Sequence, residues 1–319
     1  MTISSSPIKI TAREHVQALL DQYDNFLFDC DGVVWLGETL IPGMVEAIEY
    51  LESKGKKVVF VTNNSSKSRD EYVEKFHRLG FKSFRKQQVY PTCYAAVSNL
   101  DQLGVQPGAK VWVLGDAGIM HELKEGGYQA LGGTDTRLNQ AFDPDHPLLE
   151  VDPEVQAVIV GSTKDFNYMR IASTLQYLLH NNKSIPFIGA NIDRTYPGPH
   201  GLILPAGGSV VSYMEYTANR TFLNVGKPST QFLDTIVAEN GFDRSRTLMV
   251  GDTLYTDIKF GNDGKLGAGA GSLLVLTGGT KPEDLAHLLH SPEDYEDPHS
   301  MTPSYVMDSF GAFVDILKG

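Results

Sequence analysis

Two aspartates separated by one residue, Asp29 and Asp31, close the apolar run Asn25-Phe26-Leu27-Phe28, and Gly32 follows. Side chains two apart on an extended backbone point to the same side, so the pair is expected to address one small volume. Two carboxylates that close repel each other, and burial raises the cost; a divalent cation would hold both ionised. Three further groups share this placement at the end of an apolar run. They are Thr62-Asn63-Asn64, Gly226-Lys227-Pro228, and Gly251-Asp252 with Asp257 five residues on. Asp29 has the chemistry of a nucleophile, since carboxylates form aspartyl-phosphates. Asp31 suits protonation of a leaving oxygen and later activation of water. The Thr62 hydroxyl, the Asn63 amide and the backbone N–H groups around Asn64 are neutral donors for a phosphoryl oxygen, and Lys227 adds positive charge. Asp252 completes an oxygen-only site with few protein ligands, which suits Mg²⁺, and Asp257 can orient those ligands from behind.

Each group alone has a plainer reading. Asp-x-Asp occurs in turns and also where nucleotide-sugar transferases hold a metal. Thr62-Asn63 reads as a helix-capping loop, Lys227 as a solvated lysine, and Gly251-Asp252 as a turn. Cys30 reads as a small packed side chain, and Trp35 with the run 33–40 as a packed hairpin. The order of all four groups, each at a strand end, favours the chemical reading, because ligands bind at that edge of a doubly wound sheet.

The elements that would position these groups follow from periodicity. Helices are expected at 11–23, 42–54 and 68–79, and strands at 25–30 and 57–61, an alternation that predicts a parallel sheet with helices on both faces. A second series has short apolar runs at 111–115, 157–161 and 186–189, a helix over 167–180, and a loop-like stretch over 132–153. Residues 190–208, rich in glycine and proline, read as loop. The first alternation then resumes with helices at 209–218, 229–239 and 254–261 and strands at 247–250 and 272–276. Residues 281–303 read as an irregular surface excursion, and 304–307 as a last edge strand.

With 319 residues the chain has room for two domains or one core with a large insertion. Lys plus Arg number 27 against 39 Asp plus Glu, a net charge of −12 that argues against a nucleic-acid surface. Two cysteines, Cys30 and Cys93, form no disulfide framework and point to a reducing compartment. No targeting peptide is evident in the first ten residues and no apolar run nears eighteen residues, so a cytoplasmic, and also nuclear, location away from membranes is expected.

Phe28-Asp29-Cys30-Asp31-Gly32-Val33, Val61-Thr62-Asn63-Asn64-Ser65, Gly226-Lys227-Pro228 and Gly251-Asp252-Thr253-Leu254-Tyr255-Thr256-Asp257 resemble the four motifs of the haloacid-dehalogenase-like phosphatases. Within that superfamily the chain is most similar to the eukaryotic phosphoglycolate phosphatase and para-nitrophenyl phosphatase group, a likeness that 26–35, 61–69 and 274–278 share. The resemblance implies a Rossmann-like doubly wound α/β core over 1–93 and 212–319, with a mobile hairpin near 33–41 and a large α/β cap inserted over 94–211. It implies Asp29 as nucleophile, Asp31 as acid/base, and Thr62, Asn63, Asn64 and Lys227 on the phosphate. Mg²⁺ would be held by the Asp29 carboxylate, the Asp31 backbone carbonyl and Asp252, with Asp257 in support, which leaves the Asp31 carboxyl for proton transfer. The implied activity is Mg²⁺-dependent hydrolysis of small phosphometabolites, 2-phosphoglycolate first among them, with para-nitrophenyl phosphate as an artificial substrate. Other main substrates would be pyridoxal phosphate, phosphotyrosine or side-products of glycolysis; a mutase, a silent scaffold and a dehalogenase are the competing classes. Related enzymes suggest a homodimer through the cap. Two departures stand out: Gly161 is followed by Ser162-Thr163-Lys164-Asp165 where relatives often carry Asp, and position 253 is Thr. Asn191-Ile192-Asp193 and 205–209 would form the return from cap to core, where an Asx turn is an equal reading.

Overall fold

The computed structural model describes residues 6–197 and 202–319, so part of the expected 190–208 loop and of the N-terminal stretch lies outside the described residues. The chain divides into two compact units. The first takes in the described residues of Met1–Thr62, Phe76–Val89 and Lys227–Gly319, and the second takes in Asn63–Lys75 and Tyr90–Gly226. The segment 94–211 lies inside the second unit, which also includes 63–75, 90–93 and 212–226.

The first unit is built on a sheet in the order Ile8–Lys9, Tyr305–Met307, Ser272–Val275, Thr247–Gly251, Asn25–Phe28 and Lys57–Thr62, with Val89 beyond the last. The pairings along the first six strands are all parallel. Asn25–Phe28, Thr247–Gly251 and Ser272–Val275 are buried at every position, which is why they read as unbroken apolar runs: a parallel sheet is covered on both faces. Polar residues on adjacent central strands satisfy each other, Asn25 Nδ2 donating to Thr247 Oγ1 at 3.1 Å.

From Asn25–Phe28 the chain crosses through helix Met44–Ser53 to Lys57–Thr62 on one side. From Thr247–Gly251, the strand adjacent to Asn25–Phe28, it crosses through Lys259–Asp263 to Ser272–Val275 on the other side. Right-handed crossovers in opposite directions put their helices on opposite faces. The two strands at which the path reverses therefore define a switch point, and Asp29 and Asp252 follow them directly.

Two expectations are corrected here. Tyr305–Met307 is not the edge strand, because Ile8–Lys9 pairs outside it. The stretch 281–303 contains the helix Pro282–His290, with Pro282 in its first turn and Leu285 and Leu288 packed against Leu254, Ile258 and Leu274. Its acidic and histidine residues face outward and hid the leucines three apart.

The second unit holds a five-stranded parallel sheet in the order Leu223–Asn224, Phe187–Gly189, Val155–Val160, Lys110–Leu114 and Gln129–Gly132. Trp112 stacks on Tyr177 of helix Tyr168–Lys183 with ring centres 4.4 Å apart, and its Nε1 donates to Thr174 Oγ1 at 2.9 Å. The loop-like stretch 132–153 is anchored by a buried arginine: Arg170 donates to Asn139 Oδ1 at 2.9 Å, to the Asp135 carbonyl at 3.0 Å and to the Gly133 carbonyl. The expected loop over 190–208 carries a two-stranded antiparallel hairpin, Thr195–Pro197 with Ile203–Pro205.

An ionic cluster ties the three central strands of the first unit at the end remote from Asp29. Asp24, Lys56 and Arg246 each precede one of these strands. The Asp24 carboxylate accepts from Lys56 Nζ at 3.0 Å, from Arg246 Nη2 at 3.0 Å and from Arg246 Nε. The Arg246 hydrogen bond is the main reason its pKa lies well below the usual carboxylate range. A depressed folded-state pKa contributes stability above the unfolded value, about 4, that is lost as pH falls through the folded one. Asp24→Asn is expected to lower the urea midpoint at pH 7. The gap to wild type should narrow as pH drops below about 4, and at neutral pH it should shrink with added salt because the group is half exposed.

Candidate active site

The strand Asn25–Phe28 ends before Asp29, so the two-residue period of an extended chain does not carry through to Asp31. The Cys30 carbonyl accepts the N–H of Val34 at 2.8 Å and begins a turn, and Gly32 at φ 89° continues it. Asp29 is buried with Asp252 and Asp257, one carboxylate oxygen of each lying within 4.8 Å of the others. The Asp31 carboxyl is outside that cluster, exposed, and receives Trp35 Nε1 at Oδ1 at 2.8 Å. The Asp29 carboxyl thus sits in the buried cluster while that of Asp31 is exposed on the turn, a difference their spacing did not show.

Lys227 reaches into the carboxylate cluster with only 2 % of its side chain exposed. Its ammonium donates to Asp29 Oδ1 and to the Val61 carbonyl at 2.9 Å, and pairs with Asp257 Oδ1 at 2.7 Å. The solvated reading of this lysine is excluded by that burial. Asp257 has its other oxygen, Oδ2, on the backbone N–H groups of Asp252 and Thr253, both at 3.1 Å, so it holds the turn that aims Asp252. Asp252 Oδ2 accepts the Gly279 N–H, and its Oδ1 accepts from Thr253 Oγ1 at 3.3 Å. Glycines make the room: a Cβ at Gly278 would lie 1.9 Å from Asp252 Oδ2, and one at Gly32 would lie 2.2 Å from it. Residues 274–278 carried a family likeness in the sequence, but nothing there indicated that Gly278 and Gly279 wrap an aspartate.

The charges do not balance within the protein. Burial pushes the Asp29 pKa well above the usual carboxylate range, against the pull of Lys227, and Asp257 and Asp252 push it further. Asp252 is pushed up to about 7 by burial and then by Asp257. Burial opposes the charge on Lys227, but Asp257 and Asp29 outweigh it and hold the ammonium above its ordinary range. Three acidic oxygens crowded at this distance, with one ammonium among them, fit a hard divalent cation.

Thr62 is the buried last residue of the strand Lys57–Thr62. Asn63 and Asn64 belong to the second unit. There the Asn63 carbonyl accepts from Thr92 Oγ1 at 2.9 Å and from Asn191 Nδ2 at 2.8 Å. Asn64 Oδ1 accepts from the N–H and Oγ of Ser66 at 2.8 and 2.7 Å, a local turn of the capping kind. Asn191 Oδ1 likewise accepts the Asp193 N–H at 2.6 Å, the Asx turn read as an equal alternative. Asp165 lies 3.9 Å from the buried Arg170. A further cluster in the second unit was not marked by any motif. Arg69 pairs with the buried Glu122, 3.0 Å from Nε to Oε2, and lies over the Tyr94 ring at 3.7 Å, while His121 meets Asp70 at 2.9 Å.

Comparison with known proteins identifies the family. Residues 26–129 match the family model described as haloacid dehalogenase-like hydrolase, and 224–312 match a second, HAD-hydrolase-like model. The 4-nitrophenylphosphatase of Schizosaccharomyces pombe is 37 % identical, over 87 % of this chain and 91 % of its own. Phosphoglycolate phosphatase 2 of Arabidopsis thaliana is 39 % identical, over 87 % and 90 %. The chicken glycerol-3-phosphate phosphatase is 35 % identical, over 96 % and 95 %. Among solved structures, the p-nitrophenyl phosphatase from Archaeoglobus fulgidus superposes with a TM-score of 0.74 at 26 % identity, covering 92 % of this chain and 99 % of its own. A glycerol phosphate phosphatase from Mycobacterium tuberculosis in complex with magnesium gives 0.72 at 25 % identity, covering 92 % and 77 %. The chain belongs to the haloacid dehalogenase-like hydrolases. Within them it is a phosphoric monoester hydrolase of the 4-nitrophenylphosphatase and phosphoglycolate phosphatase type. Two Arabidopsis relatives are named chloroplastic, so the cytoplasmic expectation is not a property common to its relatives. Among the described residues no helix is long and apolar enough to cross a membrane.

Removing the ammonium while keeping the stem leaves Asp29 and Asp257 buried without their counter-charge. Lys227→Met is expected to destabilise the protein by about 3–5 kcal/mol in urea unfolding with EDTA present. Millimolar Mg²⁺ should recover more stability in the variant than in wild type.

Proposed function

We propose that the enzyme hydrolyses small phosphate monoesters, 2-phosphoglycolate foremost, through an aspartyl-phosphate on Asp29. The observation that carries the reading is the buried Lys227 ammonium shared by Asp29 and Asp257, with Asp252 beside them at the switch point of the sheet. Asp29 is the nucleophile: a carboxylate oxygen attacks phosphorus, and Lys227 orients that carboxylate and offsets charge on the phosphoryl oxygens. Asp31, whose carboxyl stands outside the carboxylate cluster, donates a proton to the departing oxygen and later takes one from the water that opens the acyl-phosphate. Thr62 sits at the neighbouring strand end as a phosphate donor; the same role for Asn63 and Asn64 rests on the motif alone. Asp29, Asp252 and the Asp31 backbone carbonyl would hold Mg²⁺, with Asp257 fixing Asp252. The ion would supply positive charge opposite the transferring phosphoryl group.

Support for 2-phosphoglycolate comes from relatives named for that substrate at 38–39 % identity. Glycerol 3-phosphate is the second reading, favoured by relatives that match over 96 % of the chain. Both are small anionic alkyl phosphates.

Phosphate release from a panel of phosphometabolites, including both esters, pyridoxal phosphate and phosphotyrosine, ranks the substrates. 2-Phosphoglycolate is expected to give the highest kcat/KM, and a higher value for any other member replaces it as the main substrate. Asp29→Asn should lose at least about 10³-fold in kcat on para-nitrophenyl phosphate, EDTA should abolish wild-type turnover, and Mg²⁺ should restore it. Equal turnover by Asp29→Asn and wild type would remove the nucleophile assignment.

A further inference from the structure

Trp35 is one of only two tryptophans in the chain, and neither its burial nor its contact with Asp31 is needed by the hydrolytic chemistry described so far. It stands on the short hairpin Trp35–Leu36 with Thr39–Leu40, which follows the strand bearing Asp29. The loop between Asp31 and Trp35 is closed by its own backbone: Gly32 N donates to the Trp35 carbonyl at 2.7 Å, and Trp35 N donates to the Cys30 carbonyl at 3.2 Å. The indole is fully buried and meets Phe76 edge-on, with ring centres 5.0 Å apart. Phe76 is in turn fixed between Phe60 at 4.5 Å and Phe84 at 3.8 Å. The donor aimed at Asp31 is therefore held by backbone hydrogen bonds on one side and by packed rings on the other.

An indole nitrogen donates one hydrogen bond and accepts none. While Nε1–H rests on Oδ1, one lone pair of that oxygen is engaged, which favours Oδ2 as the oxygen that carries the acidic proton. We propose that Trp35 is a positioning residue for proton transfer. It holds the orientation of the Asp31 carboxyl through Oδ1 as that carboxyl gives its proton to the oxygen of the departing group. This inference rests on the acid role assigned to Asp31 above. In that step an Asp29 oxygen bonds to phosphorus as the bond from phosphorus to the ester oxygen breaks. The electron pair of the broken bond stays on the ester oxygen, which takes the proton from Asp31 Oδ2. An alkoxide needs that proton to leave, whereas a nitrophenolate is stable as an anion and does not. A lock on the proton donor must then matter for alkyl esters far more than for aryl ones.

The test measures kcat/KM, which reports the first chemical step, with glycerol 3-phosphate and with para-nitrophenyl phosphate. Trp35→Phe keeps an aromatic ring at this position and deletes the donor. It is expected to lose about tenfold on the alkyl ester, part of the 10²–10⁴ that acid–base catalysis supplies, and less than about threefold on the aryl ester. In an Asp31→Asn background the same change should have no further effect. Replacing Trp35 alone with benzothienylalanine, which exchanges N–H for sulfur in a ring of the same shape, should reproduce the split if Trp35→Phe does not fold. Equal losses on both esters mean the ring only supports the fold, and no loss on the alkyl ester means the hydrogen bond is idle; either overturns the proposal while leaving Asp31 as the acid. An Asp31→Asn enzyme that retains wild-type kcat/KM on the alkyl ester overturns the acid role and the lock together.

Discussion

A single ammonium buried among carboxylates constrains the whole catalytic unit. Taking Lys227, Asp29 and Asp257 out of water costs several kcal/mol per ion, and their attraction repays this only where the geometry is good and the remaining valences are filled. Filling them uses the Val61 carbonyl for Lys227 and two backbone N–H groups for Asp257. Each of those partners lies at or just beyond the end of a central strand, so the sheet must deliver three chain segments to one place. With Asp252 included, one ammonium faces three carboxylates. The surplus negative charge is the physical reason a divalent cation belongs to this fold, and burial without it would leave Asp29 and Asp252 drawn toward their neutral forms.

The strand order makes this convergence inexpensive. Because the chain leaves Asn25–Phe28 and Thr247–Gly251 in opposite directions, the two connections diverge and leave a crevice above the pair of strands. Glycines then set how closely the loops can close around Asp252. Gly32 adopts a positive φ that other residues avoid, and both it and Gly278 lie where any Cβ would overlap the Asp252 carboxylate. Apolar strands, glycine turns and acidic strand ends are thus separate requirements of one site, each visible as a different kind of residue.

These requirements explain which parts of the fold were legible in the sequence. Buried parallel strands read as apolar runs, so strands were expected at 25–30, 57–61, 247–250 and 272–276 and lie at 25–28, 57–62, 247–251 and 272–275. The grouping of carboxyls was not legible, because it depends on where the strand stops. The run reads as strand to residue 30, but it ends at Phe28, and beyond the turn at Cys30 the Asp31 carboxyl is exposed while that of Asp29 is buried. Contacts distant in sequence were also hidden: Arg170 holding the 132–153 loop and Arg69 pairing with Glu122 have no local periodicity. The helix Pro282–His290 was masked by composition, its two buried leucines outnumbered by acids and histidines. Trp35 was read as hairpin packing, which is true of its ring but omits its one polar atom.

The two aspartates of the opening motif differ because their surroundings do. Asp29 is enclosed with other charges, where a fixed ammonium can orient it toward phosphorus but where water is scarce. Asp31 is exposed, on a turn, and in the proposed mechanism it gives its proton in the first half of the reaction and takes one from water in the second. An exposed carboxyl on a turn would ordinarily sample several rotamers, which is a poor property for a proton donor. A neighbour that donates but cannot accept, and that is itself immobilised by packed aromatic rings, resolves the conflict between access and orientation. The placement of a large apolar side chain beside a solvent-exposed acid then follows from the same need.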